Sequence, residues 1–126
     1  MKTQLTYSEF VKRLRNDTLE TPNGNCPAGP ILRLFQGKWK NEVLYCLCMY
    51  PTVRFGQLKK LLGGITNTML TATLRDLKKE GFISRKQFNE IPPHVEYSFT
   101  QKGLDLMPVF YEMTKWGYKY ADEKTK

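Results

Sequence analysis

Asn67, Thr71 and Arg75 recur at four-residue intervals, so on a helix an amide, a hydroxyl and a guanidinium would share one stripe. Thr68 lies beside that stripe and Thr66 just ahead of it. These groups donate and accept hydrogen bonds but contain no nucleophile–base pair. The chemistry they offer is recognition: asparagine pairs with an adenine edge, arginine with guanine, and a threonine methyl packs on thymine. Each good bidentate contact discriminates by about 1–3 kcal/mol. A plainer arrangement has the threonines and Asn67 capping the helix while Arg75 pairs with a neighbouring acid. Further along, Arg85, Lys86 and Gln87 precede Asn89 and His94. That set suits phosphate or minor-groove contact, or simply the charge protection of an edge strand. Lys38 and Lys40 are further candidates for touching a backbone.

The three cysteines are Cys26, Cys46 and Cys48. An odd count argues against a structural disulfide framework. Cys46 and Cys48 are separated by one residue, unlike a redox or zinc-ribbon pair, and with His94 the sole histidine no tetrahedral zinc site is expected. Cys26 precedes Pro27, just ahead of an expected helix start, where the helix dipole and nearby lysines would lower a thiol pKa. Otherwise it is an ordinary cysteine of an arm. Cys46 and Cys48 fall on a largely apolar helix, where packing is the ordinary role of a thiol. A second-cysteine role for either in a Cys26 disulfide, within or between subunits, stays open.

The elements that must position these groups follow from pattern. A chain of 126 residues with a formal charge of +8 and 40% hydrophobic residues reads as one soluble domain. The basic balance fits a surface drawn to phosphate backbones, or a soluble protein with scattered solvated lysines. No apolar run approaches the ~20 residues of a membrane span. The first residues show no secretory pattern, so a cytoplasmic location is expected.

Residues 6–16 predict a short helix, and residues 17–30, rich in Pro, Gly and Asn, a linker. Apolar spacing predicts one helix from about 30 to 49, ended by Pro51. After a stub of strand at 52–54, residues 55–62 predict a helix with Phe55, Leu58, Leu61 and Leu62 inward. Gly63-Gly64 supplies a turn, Ile65 anchors it, and Thr66 caps a second helix. That helix has an apolar stripe of Met69, Leu70, Leu74 and Leu77, a polar side of Asn67, Thr68, Thr71, Arg75 and Lys78, and an end at Gly81. Strands at 83–88 and 95–99 follow, with Val95, Tyr97 and Phe99 on one face and Glu96 and Ser98 on the other. The proline-rich loop between them makes the hairpin a wing. Thr100 caps a last helix from 101 to about 120, kinked at Pro108, with Leu104, Met107, Phe110, Tyr111 and Trp116 among apolar side chains around most of its girth. So wide an apolar surface implies a partner helix. Trp39 and Trp116 read as core or dimer interface, and any small-ligand pocket is expected between the terminal helices and the winged domain.

In their order, QGKWKNEVLYCL, RFGQLKKLLGGITNTMLTATLRDLKKEGFISR, EIPPHVEYSFTQKG and MPVFYEMTKWG resemble the HxlR-type winged-helix transcriptional regulators, relatives of the MarR superfamily. The resemblance spans roughly residues 26–118. It implies a mainly α fold with a small β-hairpin wing (α+β), dimerising through its terminal helices. It also implies a homodimer that sets two winged helices on successive major grooves of a palindromic operator, repressing or activating nearby genes. In members that sense oxidants or electrophiles, the reactive cysteine occupies the Cys-Pro position that Cys26 holds here. Departures are an arm longer than usual and Phe99 where leucine is common.

The expected organisation is an N-terminal arm with a short helix over 1–25, the winged domain with its dimerisation helix over 26–120, and a tail over 121–126. The expected function is sequence-specific DNA binding as a homodimer. Thr66, Asn67, Thr68, Thr71, Arg75, Arg85, Lys86, Gln87 and His94 would meet DNA, and Cys26 would be the redox candidate. Leu104, Met107, Phe110, Tyr111 and Trp116 would form the interface. Expected partners are a double-stranded operator, a second copy, and a small-molecule or redox effector, with no membrane, metal or cofactor. A winged-helix protein-interaction module is the alternative, and would need an apolar patch in place of the polar face. An enzyme is excluded for want of a nucleophile–base pair, phosphate loop or paired carboxylates.

Overall fold

The computed structural model describes residues 5–16 and 29–121, in two units divided between Gln36 and Gly37. In the first unit, α1 (Tyr7–Arg15) begins at a reciprocal capping box. Thr6 Oγ1 accepts from the Glu9 N–H, and Glu9 Oε1 accepts from the Thr6 N–H, both at 3.1 Å. The box satisfies two donors that a helix start otherwise leaves unpaired. Lys12, Arg13 and Arg15 fill the last turn, where cations oppose the negative end of the helix dipole. The expected linker falls mostly outside the described residues.

The continuous helix expected over 30–49 is two helices, α2 (Gly29–Arg33) and α3 (Lys38–Met49). Residues 34–36 close three-residue turns onto Ile31, Leu32 and Arg33, and Gly37 then adopts φ +97°. That conformation favours glycine and cannot continue a right-handed helix.

Within the second unit, Val43, Leu44, Cys46 and Leu47 put one side of α3 into the core, the i, i+1, i+3, i+4 pattern of a buried helical face. Strand β1 (Val53–Arg54) leads directly into α4 (Phe55–Leu61). Leu58 and Leu62 are buried as expected, but Leu61 is exposed. Gly63 and Gly64 both have positive φ, and the chain re-enters a helix at α5 (Asn67–Lys79). Ile65 is buried at the turn and Leu70, Leu74 and Leu77 beneath the helix. Met69 is exposed, and Thr73 takes the expected fourth place in the core. Its hydroxyl donates to the Met69 carbonyl at 2.8 Å, which removes the penalty for burying it.

Gly81, at φ +87°, turns the chain out of α5 into β2 (Ile83–Phe88), which pairs antiparallel with β3 (His94–Phe99). The sheet order is β1-β3-β2. Thr100 then caps α6 (Gln101–Leu104) through its side chain. The single terminal helix expected from 101 to 120 is divided: α6 ends, Asp105 and Leu106 intervene, and α7 (Met107–Lys119) begins anew. Pro108 therefore starts a helix instead of kinking one, a position where its missing N–H costs nothing.

Candidate nucleic-acid interface

Helix α5 is fixed from both ends and from below. At its start Thr66 Oγ1 accepts the Met69 N–H at 3.0 Å. At its end the Glu80 carboxylate meets Lys40 Nζ at 3.0 Å, and the Glu80 carbonyl accepts from Lys102 Nζ at 2.7 Å. Lys40 is thus a tie between α3 and the end of α5, with its side chain only 14% exposed. Lys38 lies over the Trp39 ring, 4.6 Å from its centroid.

With Leu70, Thr73, Leu74 and Leu77 inward, Asn67, Thr68, Thr71 and Arg75 are all exposed. No ion pair among the described residues engages Arg75. The polar face expected on this helix is in place, apart from Met69 at its edge.

The hairpin divides the wing residues. The register pairs Arg85 with Tyr97, Lys86 with Glu96, Gln87 with Val95 and Phe88 with His94. Directly paired residues share a face and neighbours along a strand alternate. Arg85 and Gln87 therefore lie on the side of Val95 and Tyr97, whereas Lys86 and His94 lie on the side of Glu96. On that second face the His94 ring stacks on Phe88 at 4.6 Å between centroids and 11° between planes. His94 Nε2 is 3.3 Å from Glu96 Oε2, and Nδ1 is 3.9 Å from Glu90 Oε1. Lys86 Nζ sits 5.0 Å from the Phe88 centroid.

On the first face, α5 and the hairpin enclose an open cleft of about 540 Å³ lined by Phe55, Thr71, Leu74, Arg75, Lys78, Arg85, Val95 and Tyr97. The structure so brings Thr71, Arg75 and Arg85 together and leaves Lys86 and His94 apart from them. Lys78, on the polar side of α5 but outside the expected contact set, joins the first three. Its place three residues after Arg75 and seven after Thr71 puts it on the same side of the helix.

Leu104 ends α6, while Met107, Phe110, Tyr111 and Trp116 lie on α7, which has no buried residue. Tyr45, Cys46, Met49, Leu61, Leu62 and Phe110 line a smaller hollow of about 480 Å³ between α3, α4 and α7. Cys46 is buried and Cys48 half-buried. Burial pushes the Cys46 thiol above its ordinary pKa, with the Glu42 carboxylate adding to it, and burial alone raises Cys48. Fewer thiolates mean slower nucleophilic chemistry. Cys26 lies outside the described residues. Among the described residues no three His, Cys, Asp or Glu side chains gather as a metal site, and no helix is long and apolar enough to cross a membrane.

Residues 34–125 match the model of the HxlR-like helix-turn-helix family. The chain is 46% identical over 88 residues to YkvN of Bacillus subtilis strain 168, an uncharacterized HTH-type transcriptional regulator, covering 70% of this chain and 74% of YkvN. It is 43% identical over 101 residues to YdeP of the same strain, also an uncharacterized HTH-type transcriptional regulator, covering 80% of this chain and 78% of YdeP. The fold is similar to that of the redox regulator HypR in its oxidized form, with a TM-score of 0.66, 35% identity, and coverage of 75% of this chain and 96% of HypR. A polar, exposed helix after a Gly-Gly turn, a hairpin strand that carries Arg85 and Lys86, and these relatives agree: the chain belongs to the HxlR-like helix-turn-helix family of DNA-binding transcriptional regulators.

Proposed function

We propose that this protein regulates transcription in the cytoplasm as a homodimer bound to a palindromic operator. In this reading α5 enters the major groove, where residues near the start of a recognition helix meet base edges. The hairpin holds the adjoining backbone. The observation that carries the reading is the exposed face of Asn67, Thr68, Thr71 and Arg75, set beside the basic hairpin strand of Arg85 and Gln87. Thr66 ends the same face, and Lys86 and His94 approach DNA from the outer side of the wing. Helix α7, none of whose residues is buried and whose Met107, Tyr111 and Trp116 are exposed, supports the homodimer, since an apolar helix face left in water is costly. A protein-interaction module would need an apolar surface on α5, and Met69 alone does not supply one.

Selection of bound fragments from genomic DNA, followed by binding measurements on the selected duplex and an unrelated one, tests this. The selected site should be preferred by at least tenfold. Asn67→Ala should reduce that preference by about 1–3 kcal/mol, the value of one bidentate base contact. Equal wild-type affinity for both duplexes would defeat the sequence-specific reading.

We further propose that oxidants or electrophiles tune operator binding through Cys26. Support comes from its place before Pro27, from the raised thiol pKa values of the other two cysteines, and from the likeness to a redox regulator. Diamide should shift the operator affinity of the reduced wild type at least fivefold and leave Cys26→Ser unchanged. An equal response of the two proteins would remove Cys26 from the mechanism.

A further inference from the structure

Resting on the DNA-binding reading above, we infer that the cleft between α5 and the hairpin is a clamp for one stretch of DNA backbone. Arg75, Lys78 and Arg85 are its phosphate contacts. Arg75 then positions the duplex and does not read a base, so sequence discrimination is confined to Asn67, Thr68 and Thr71.

Three observations carry this assignment. First, the cleft gathers three cations from two elements, Arg75 and Lys78 on α5 and Arg85 on β2, and no carboxylate lines it. The contrast with other cations of the chain is direct: Lys40 pairs with Glu80 and Lys115 with Glu112. The acid nearest in register, Glu96, belongs to the opposite face of the hairpin with Lys86 and His94. Like charges so gathered repel each other and await an anion.

Second, the cleft floor is Phe55, Leu74, Val95 and Tyr97. Apart from the Tyr97 hydroxyl, such a floor offers nothing to the donors and acceptors of a base edge, but it can pack a deoxyribose. It also lowers the local dielectric around the cations above it, which strengthens their hold on a phosphate.

Third, Arg75 stands about 12 Å along the helix axis from Asn67, at 1.5 Å per residue. A recognition helix reads bases mainly with its N-terminal turns. At the third turn, beside a wing that follows the backbone, a guanidinium is placed for phosphate, to which arginine presents a matching fork.

Salt dependence and selectivity separate the two roles. Binding of the selected operator and of an unrelated duplex would be measured from 0.05 to 0.3 M salt for wild type, Asn67→Ala, Arg75→Ala, Lys78→Ala and Arg85→Ala, with melting curves showing each variant folded. Every cleft variant should lose affinity for both duplexes alike, by about fivefold at 0.15 M for each phosphate released, with the slope of log affinity against log salt shallower by about 0.9. The ratio between duplexes should stay within twofold of wild type. Asn67→Ala should do the reverse, lowering the ratio and keeping the slope. The clamp is overturned if Arg75→Ala collapses the ratio tenfold or more while leaving the slope intact, since Arg75 then reads a base. A wild type with no preference between duplexes overturns the operator reading instead, and is recognised before any variant is compared.

Discussion

Gly103→Val is expected to lower the melting temperature of the second unit by well over 10 °C. A Cβ at Gly103 would overlap the Phe82 carbonyl oxygen and the Phe99 ring. The carbonyl cannot withdraw: it accepts the Thr100 N–H at 3.0 Å and lies 3.2 Å from the Thr100 hydroxyl. Overpacking of this kind costs about 1–3 kcal/mol before any hydrogen bond is lost, and each lost bond adds about 1 kcal/mol. Total stabilities are only about 5–15 kcal/mol, and each kcal/mol moves the midpoint by roughly 4–8 °C in a unit of this size. Gly103→Ala supplies the sharper control. In a helix with room for a methyl, alanine for glycine would stabilise by up to about 1 kcal/mol, so the packing described here reverses the sign. A thermal melt of Gly103→Ala at or above the wild-type midpoint would show that α6 has room to spare.

The second large effect is expected at α7. Tyr111→Asp combined with Trp116→Asp should convert the proposed homodimer into monomers without lowering the stability of the monomer. Within the chain Trp116 touches the Tyr120 ring, at 5.2 Å between centroids, and Tyr111 carries Lys115 above it; both contacts are at the surface. Buried tyrosine and tryptophan anchors are worth about 2 kcal/mol or more each at an interface, and an aspartate there adds an uncompensated charge. A rise in the dimer dissociation constant of about a thousandfold follows. Sedimentation equilibrium would measure it, and affinity for the proposed palindromic operator should fall to that for a half-site. A variant that still sediments as a dimer would place the interface on another surface.

Much of the architecture was legible because each device has its own signature. The Gly-Gly turn, Thr66 as a cap, Gly81 as a stop and the alternation of the second hairpin strand each follow from one local rule. The two misread helices share a cause. Apolar side chains keep helical spacing across both breaks, from Leu32 to Trp39 and from Leu104 to Met107. Spacing reports which face is buried and says nothing of a backbone reversal between turns. Gly37 marked the first break. Pro108 marked the second, but a proline that kinks a helix and one that begins a helix look alike in sequence. Thr73 was missed because its burial depends on a bond to a carbonyl of its own helix. In the candidate site the helical stripe was read directly from its spacing. The cleft was not, because it needs the register of β2 on β3 to decide which of Arg85 and Lys86 faces α5.

The anchoring of α5 has a mechanical meaning. At its root, Glu80 is held through its side chain by Lys40 and through its carbonyl by Lys102, and the next two carbonyls are gripped by Thr100. At its tip, Ile65 is buried just ahead of the Thr66 cap, and Leu70 is buried beneath the first turns. The helix is a beam clamped at both ends. The spacing from Asn67 to Lys78 is set before any partner arrives, so a duplex that is to meet both must bend to it.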